Sequence, residues 1–129
     1  MMRPLADNAL TIARIIGQGR IAVGAAALLG PATVTRRWLK AGDPAPDAAT
    51  AWRVAGARDL VLGLGTVLAA RRSSPALRGW LEASALADAM DVYAFARDQA
   101  FRPLLRLGAI LAAAASAGAG VWAARQVGR

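Results

Sequence analysis

The sequence predicts an all-α protein: a bundle of four transmembrane helices with short loops, formed by a single domain over residues 1–129. Hydrophobic residues make up 57% of the chain, whereas soluble domains contain about 45–50%. The apolar residues are concentrated in four stretches of about 20 residues, a length at which a helix crosses a hydrocarbon core of about 30 Å. Most basic residues lie between these stretches or at their ends, as is typical of membrane proteins.

The first helix is predicted over residues 10–29 and ends at Gly30-Pro31, because this pair punctuates helices. The segment RRWLK, residues 36–40, places a Trp and a Leu among cations and is typical of an interfacial segment. Residues 42–50, GDPAPDAAT, are rich in Pro and are predicted to form a linker.

The second, third and fourth helices are predicted over residues 51–70, 77–96 and 103–124. Only residues 71–76 separate the second helix from the third, so these two should form an antiparallel hairpin. The fourth stretch contains LGAILAAAASAGAGVWAA and is the clearest spanning segment. The second and third carry charged residues and would be marginal spans in isolation.

The tryptophans give an independent indication of the helix ends. All four fall near predicted ends, where the amphipathic indole prefers the headgroup level: Trp38, Trp52, Trp80 and Trp122. A soluble bundle is an alternative, but its helices should show a charged outer face, which the first and fourth do not. A signal peptide with its apolar run at residues 21–29 is another alternative, and it would still leave three spans.

The distribution of charge indicates which kinds of partner the protein binds. The net charge is +8, and the basic residues cluster at loop ends, which favours lipid headgroups over nucleic acid. The chain contains neither Cys nor His, so we predict no metal site and no cofactor. We expect a multi-pass protein of the cell membrane. Both termini are placed on the cytoplasmic side because the second loop, RRSSPALR, is compactly basic.

Charged residues inside the predicted helices are the candidate site. A charge at the bilayer centre costs about 2.5–3.5 kcal/mol on insertion scales, so these residues should pair and face inward. The hairpin places position 58 opposite position 91, so Arg58 should contact Asp91, with Asp88 one turn away on the same face. Arg58 and Asp59 point about 100° apart and are expected to be poor partners. Asp59 should instead pair with Arg20, which lies at a similar depth.

One further cation, Arg106, could join this layer because it lies one turn into the fourth helix. The candidate polar cluster or ligand-binding site is therefore Arg20, Arg58, Asp59, Asp88, Asp91 and Arg106. Two interpretations stay open: ion pairs that fix the bundle, and the polar floor of a cavity that binds a headgroup or performs acid–base chemistry. No residue is assigned as catalytic. Asp88 and Asp91 are the candidate acids, since paired carboxyl groups can share a proton.

Small residues predict where helices approach closely. Most glycines inside the apolar stretches are interpreted as close-packing positions. Ala112, Ser116 and Gly120 form a ridge at four-residue spacing, as membrane helix interfaces prefer. Glu82, close to Arg78, is expected to be solvated.

Two short motifs carry a family resemblance. At GARDLVLGLG, residues 56–65, and ADAMDVYAF, residues 87–95, the chain resembles small four-helix membrane proteins defined as a domain of unknown function. These are broadly similar to DoxX-like and sterol-isomerase-like (EXPERA) bundles. The resemblance implies the four-helix fold, and the isomerase-like group places acidic residues in an intramembrane cavity. Asp59, Asp88 and Asp91 are the positions that could be analogous, although a His and an aromatic-rich cavity are missing.

The sequence favours a membrane protein that binds a lipid or other apolar ligand, or an accessory subunit of a membrane protein partner or homo-oligomer. The first alternative is a membrane-embedded isomerase or cyclase that acts on an isoprenoid or lipid through an intramembrane Asp. The second is a small transporter. A cavity that ends at the Asp pair would favour a binder or an enzyme, a continuous polar path would favour transport, and a solid bundle would favour an accessory role.

Overall fold

A computed structural model describes residues 2–40 and 46–127. This part of the chain is helical, as the sequence predicts, and contains five helices: α1 (Met2–Leu29), α2 (Pro31–Trp38), α3 (Pro46–Arg71), α4 (Leu77–Arg97) and α5 (Pro103–Val127). The four long helices contain the four apolar stretches. Within the described residues, two segments, Leu5–Leu29 and Pro103–Val127, are long and apolar enough to cross a membrane.

Three predicted boundaries change. Helix α1 begins at Met2 and not at residue 10, because its early turns are held by packing: Ala9 and Ala13 are fully buried. Residues 36–38 of the interfacial segment form the end of a short helix, α2, which starts with Pro31 at its first turn, and Leu39 is its C-cap. The linker predicted over residues 42–50 is wrong in its second half, since α3 begins at Pro46, where proline suits the first helical position. The start of that linker lies outside the described residues.

The four long helices form a ring in the order α1, α3, α4, α5, so that α1 also contacts α5. The pairs α1–α3 and α4–α5 have the most extensive interfaces. The connection between α3 and α4 is short, as predicted. All four Trp lie within about two turns of a helix end.

Glycines bring α1 and α3 into backbone contact. A Cβ added at Gly24 would lie 2.7 Å from the carbonyl oxygen of Gly56, and one added at Gly63 would lie 2.6 Å from that of Gly17. The residue number rises along α1 from Gly17 to Gly24 while that of the facing glycine on α3 falls from Gly63 to Gly56, so the two helices are antiparallel. The close-packing interpretation is confirmed for these glycines on α1 and α3. It is wrong for three others, where a Cβ would meet nothing within 4 Å: Gly19, Gly108 and Gly118.

At the end of the bundle that holds the two termini of the described chain, small side chains form the core. Its buried alanines come from α1, α3 and α5: Ala9, Ala13, Ala69, Ala70, Ala123 and Ala124. Leu77 and Leu81 of α4 complete this alanine core, with at most 2% of either residue exposed. Such short side chains allow helices to approach closely.

Aromatic side chains occupy the opposite end of the bundle. Trp38, Trp52, Phe95 and Phe101 contact one another with ring centroids 5.0–6.3 Å apart. Beside them, the Arg102 N–H donates to the carbonyl oxygen of Trp38 at 2.9 Å. The end of α2 is thereby attached to the connection between α4 and α5.

Candidate functional site

At mid-height in the bundle, five charged side chains form one connected chain in which acids and bases alternate. Its order is Asp88, Arg20, Asp59, Arg58, Asp91. Helix α1 contributes one residue, and α3 and α4 contribute two each. Three helices are therefore tied together by a single ionic network.

Arg20 is the central cation of this network, and only 7% of it is exposed. Its Nη1 donates to Asp59 Oδ1 at 2.7 Å, which confirms the predicted pairing of these two residues. Its Nη2 donates to the carbonyl oxygen of Ser84 at 2.8 Å and to Asp88 Oδ1. Arg20 therefore connects α1 with both α3 and α4.

Arg58 forms the outer part of the network. Its Nη1 and Nη2 donate to the two carboxylate oxygens of Asp91 at 2.9 and 2.8 Å, so the predicted Arg58–Asp91 contact is present. The prediction that Arg58 and Asp59 are poor partners is wrong. Arg58 Nη2 and Nε lie 3.2 and 3.3 Å from Asp59 Oδ1, because the long Arg side chain bends around its own helix. Asp59 Oδ1 is thus shared by two guanidinium groups.

The network is not balanced. Three carboxylates face two guanidinium groups, which leaves one formal negative charge when all five are ionised. Among the described residues, two buried polar atoms of the network and one beside it have no hydrogen-bond partner: Arg20 Nε, Asp88 Oδ2 and the neighbouring Ser84 Oγ. Buried polar groups in native proteins are nearly always partnered, so such atoms call for an explanation.

A cavity of about 440 Å³ lies directly against the network. Arg20, Asp59, Asp88 and Asp91 line its floor. Its walls are apolar or small, with Ile15, Gly19 and Val23 from α1 and Ala112 and Ser116 from α5. Ile15 and Val23 are more than half exposed, so the cavity opens at the surface between α1 and α5. Its volume lies within the range of ligand pockets, about 300–1,000 Å³.

Two sequence expectations about α5 are corrected. Arg106 does not join the network: it lies near the aromatic end, one turn into α5, and its Nη1 donates to the carbonyl oxygen of Asp98 at 3.0 Å. The small-residue ridge is an interface only in part. Gly120 approaches Ala85 of α4, at 3.4 Å from an added Cβ, whereas Ala112 and Ser116 line the cavity.

Around the network, stretches without any other charge cover residues 15–29 of α1, 54–70 of α3, 83–96 of α4 and 107–124 of α5. Their only charged residues are Arg20, Arg58, Asp59, Asp88 and Asp91. Arg14, near the middle of α1, is exposed and lies just outside these stretches. Glu82 lies outside these stretches, half-exposed and paired with Arg78 at 2.8 Å, in agreement with its predicted solvation.

Sequence analysis missed two features of this region. Ser84, one turn before Asp88, contributes the carbonyl oxygen that Arg20 binds. Its position four residues before a helical Asp was the available signal, because side chains at this spacing share a helix face. The opening between α1 and α5 had no sequence signal, since small residues on α5 predict close packing equally well.

Comparisons with protein-family models, with curated proteins and with solved structures find no match for this chain. The resemblance to DoxX-like and EXPERA-like bundles therefore stays a prediction based on two short motifs.

Proposed function

We propose that this chain is a four-span integral membrane protein that binds a lipid or another apolar molecule in the cavity between α1 and α5. One observation carries the proposal: four of the five charged residues of the network, Arg20, Asp59, Asp88 and Asp91, line an apolar-walled cavity. Such a cavity opens towards lipid when the bundle spans a bilayer. An apolar ligand could then enter sideways from the membrane.

The exposed faces of α3 and α4 support spanning by these two helices as well. On α3, Val61 and Leu64 are 60% and 49% exposed, and on α4, Leu86 and Met90 are 65% and 61% exposed. A soluble helix would carry charged residues on this face. The charges that make α3 and α4 marginal spans are instead paired with each other and with α1, as expected of ionised groups inside a bilayer.

Single-cysteine labelling tests the four spans, and the chain needs no prior substitution because it has no cysteine of its own. Ser74→Cys should label from one side of the membrane, and Lys40→Cys and Gln99→Cys should label from the other. Both termini are proposed to share the side of Ser74, in the cytoplasm. Labelling of all three cysteines from one side would overturn the four-span arrangement.

Native mass spectrometry of the detergent-purified protein tests the cavity. We expect the native protein to retain a lipid or other apolar molecule. Gly19→Phe should remove it, because Gly19 lines the cavity and has open space around its Cβ position. Gly108→Phe is the matched control, since Gly108 also has open space but does not line the cavity. Equal retention by the two variants would exclude this cavity as the binding site.

A membrane-embedded isomerase or cyclase acting on an isoprenoid or lipid is the second candidate. It is favoured by the free Oδ2 atom of Asp88, on a residue that lines the cavity. Asp91 is the weaker candidate acid because Arg58 binds both of its oxygens. A lipid whose chromatographic retention changes at constant mass with the native protein, but not with Asp88→Asn, would favour this candidate. Transport is less well supported, because the alanine core closes one end of the bundle.

A further inference from the structure

We propose that the cavity takes a cationic amphiphile, that is, an apolar molecule whose head is a protonated amine. This inference rests on the proposed function, because it names the chemical class of the ligand for the same cavity. Three observations carry it: the excess negative charge of the network, the unpartnered oxygen of Asp88, and the apolar walls.

The charge of the network favours a cation. With two guanidinium groups against three carboxylates, the network beside the cavity lacks one positive charge. Among the described residues, Asp88 Oδ2 and Asp59 Oδ2 accept no hydrogen bond, and the Asp88 oxygen is the buried one, on a residue that is only 7% exposed. An uncompensated charge in a water-poor site is costly. A cation that enters the cavity supplies the missing charge, whereas a carboxylate or phosphate head would add a fourth anion.

The free atoms favour a head that donates hydrogen bonds. Asp88 Oδ2 is unpartnered and, when ionised, can only accept, and Asp88 lines the cavity. An ammonium group offers up to three donors to such an oxygen. A hydroxyl head would also partner the free N–H of Arg20, but it would leave the charge uncompensated. Since the charge costs more than one unpaired N–H, the amine is favoured over the alcohol.

The remaining carboxylate oxygens argue against an inorganic cation. Asp91 is held by both arms of Arg58, and Asp59 Oδ1 is shared by Arg20 and Arg58. Calcium and magnesium need about six or more oxygen ligands, which this network does not leave free. The exposed walls at Ile15 and Val23 are suited to a hydrocarbon chain.

Four probes that share one dodecyl chain test the head group on the unmodified protein. They are dodecylamine, dodecyltrimethylammonium, dodecanol and dodecanoate, titrated calorimetrically at pH 7 into zwitterionic lipid nanodiscs, with empty nanodiscs subtracted. We expect dodecylamine to bind about tenfold more tightly than dodecanol or dodecanoate. Dodecyltrimethylammonium should fall between, because it keeps the charge and lacks the donors.

Matched variants on α4 locate the effect. Asp88→Asn should weaken dodecylamine binding about tenfold and change dodecanol binding little, because the variant removes charge and keeps the side-chain shape. Glu82→Gln is the control, an equivalent loss of charge on the same helix at a half-exposed surface pair. It should leave the affinity for dodecylamine unchanged.

The outcomes separate this inference from the proposed function. If dodecanol or dodecanoate binds as tightly as dodecylamine and Gly19→Phe abolishes that binding, the cavity is a ligand site and the amine proposal is wrong. If Asp88→Asn folds and binds dodecylamine as the native protein does, the amine proposal is also wrong. If no probe binds above the empty-nanodisc level and no retained molecule is detected, both proposals fail.

Discussion

Helix α1 packs along two long helices, α3 and α5, and contacts them in different ways. Against α3 it lies at backbone contact along two glycine pairs, Gly17–Gly63 and Gly24–Gly56. Against α5 it packs through small residues near the termini, where Ala9 and the alanines of α5 share a core, and further along it forms one wall of the cavity. The same helix therefore has one closed interface and one that is closed only at its end.

This contrast shows that small residues can lie either at a close helix contact or along a cavity. Glycine at the contact points lets α1 and α3 approach until no side chain fits between them. On the other side, Ala112 and Ser116 of α5 are as small, yet they line a cavity. The difference coincides with Arg20, whose side chain leaves α1 towards α3 and α4 and gives α5 no polar partner. Small residues permit close contact between helices, and in this bundle the close contact lies on the side of α1 that the ionic network also joins.

The largest effect is expected when Arg20, the cation that connects α1 with α3 and α4, is removed. Arg20→Leu should lower the free energy of unfolding by about 3–5 kcal/mol, because the buried Asp88 loses the guanidinium group that it pairs with. Thermal unfolding in detergent measures this. Arg14→Leu, on the same helix at an exposed position, is the control and should change stability little. Equal effects of the two variants would mean that the network does not hold α1 in place.

A second test overpacks the closed interface between α1 and α3. Gly24→Leu should cost about 3 kcal/mol, at the upper end of overpacking effects, because its Cβ would meet backbone atoms of α3 at 2.7–2.8 Å. Gly19→Leu, on the open side, should leave the unfolding temperature almost unchanged, since its Cβ meets nothing within 4 Å. A similar loss of stability in both variants would remove the distinction between the two interfaces.

A third test concerns the outer part of the network, where Arg58 is 37% exposed and Asp91 is 28% exposed. Asp59 keeps Arg20 as a partner, so Arg58→Leu strands Asp91 alone. It should cost about 2 kcal/mol, less than the cost of about 3–5 kcal/mol for a fully buried pair, because this pair is only partly buried. Arg58→Leu combined with Asp91→Leu should recover most of that loss, because neither charge is then stranded. If the double variant is the least stable of the three, the pair contributes more than a local ionic contact.

The sequence predicted how far along the bundle each charged residue lies better than it predicted where each side chain points. Counting residues along straight helices placed Arg58 opposite Asp91 and Arg20 level with Asp59, because rise per residue is nearly constant. It missed the contact between Arg58 and Asp59, since a long side chain can bend around its helix. It also placed Arg106 in the network from its position one turn into α5, a position that is correct, but the side chain bonds to the carbonyl oxygen of Asp98 instead. Which way each helix face turns depends on packing, and the glycine contacts that set it were visible only as small residues.

The smallest predicted effect lies in the turn that joins α3 to α4, at the closed end of the bundle. Ser73 has a positive φ of 47°, and the Ser74 N–H reaches back to the carbonyl oxygen of Ala69 at 3.0 Å. This is the pattern of a helix C-cap at which glycine is preferred. A left-handed conformation costs a non-glycine residue about 1–2 kcal/mol, and glycine gives back part of this through a more flexible unfolded chain.

Ser73→Gly should therefore raise the free energy of unfolding by about 0.5–1 kcal/mol without changing ligand retention, because the turn is remote from the cavity. Ser74→Gly is the matched control. It removes the hydroxyl that accepts the Ala76 N–H at 3.2 Å, so it should be neutral or slightly destabilising. Thermal unfolding in detergent, together with native mass spectrometry of the retained molecule, measures both properties. If Ser73→Gly is stabilised but also loses the molecule, the closed end of the bundle and the open cavity are coupled. The closed and open interfaces of α1 would then belong to one cooperative unit.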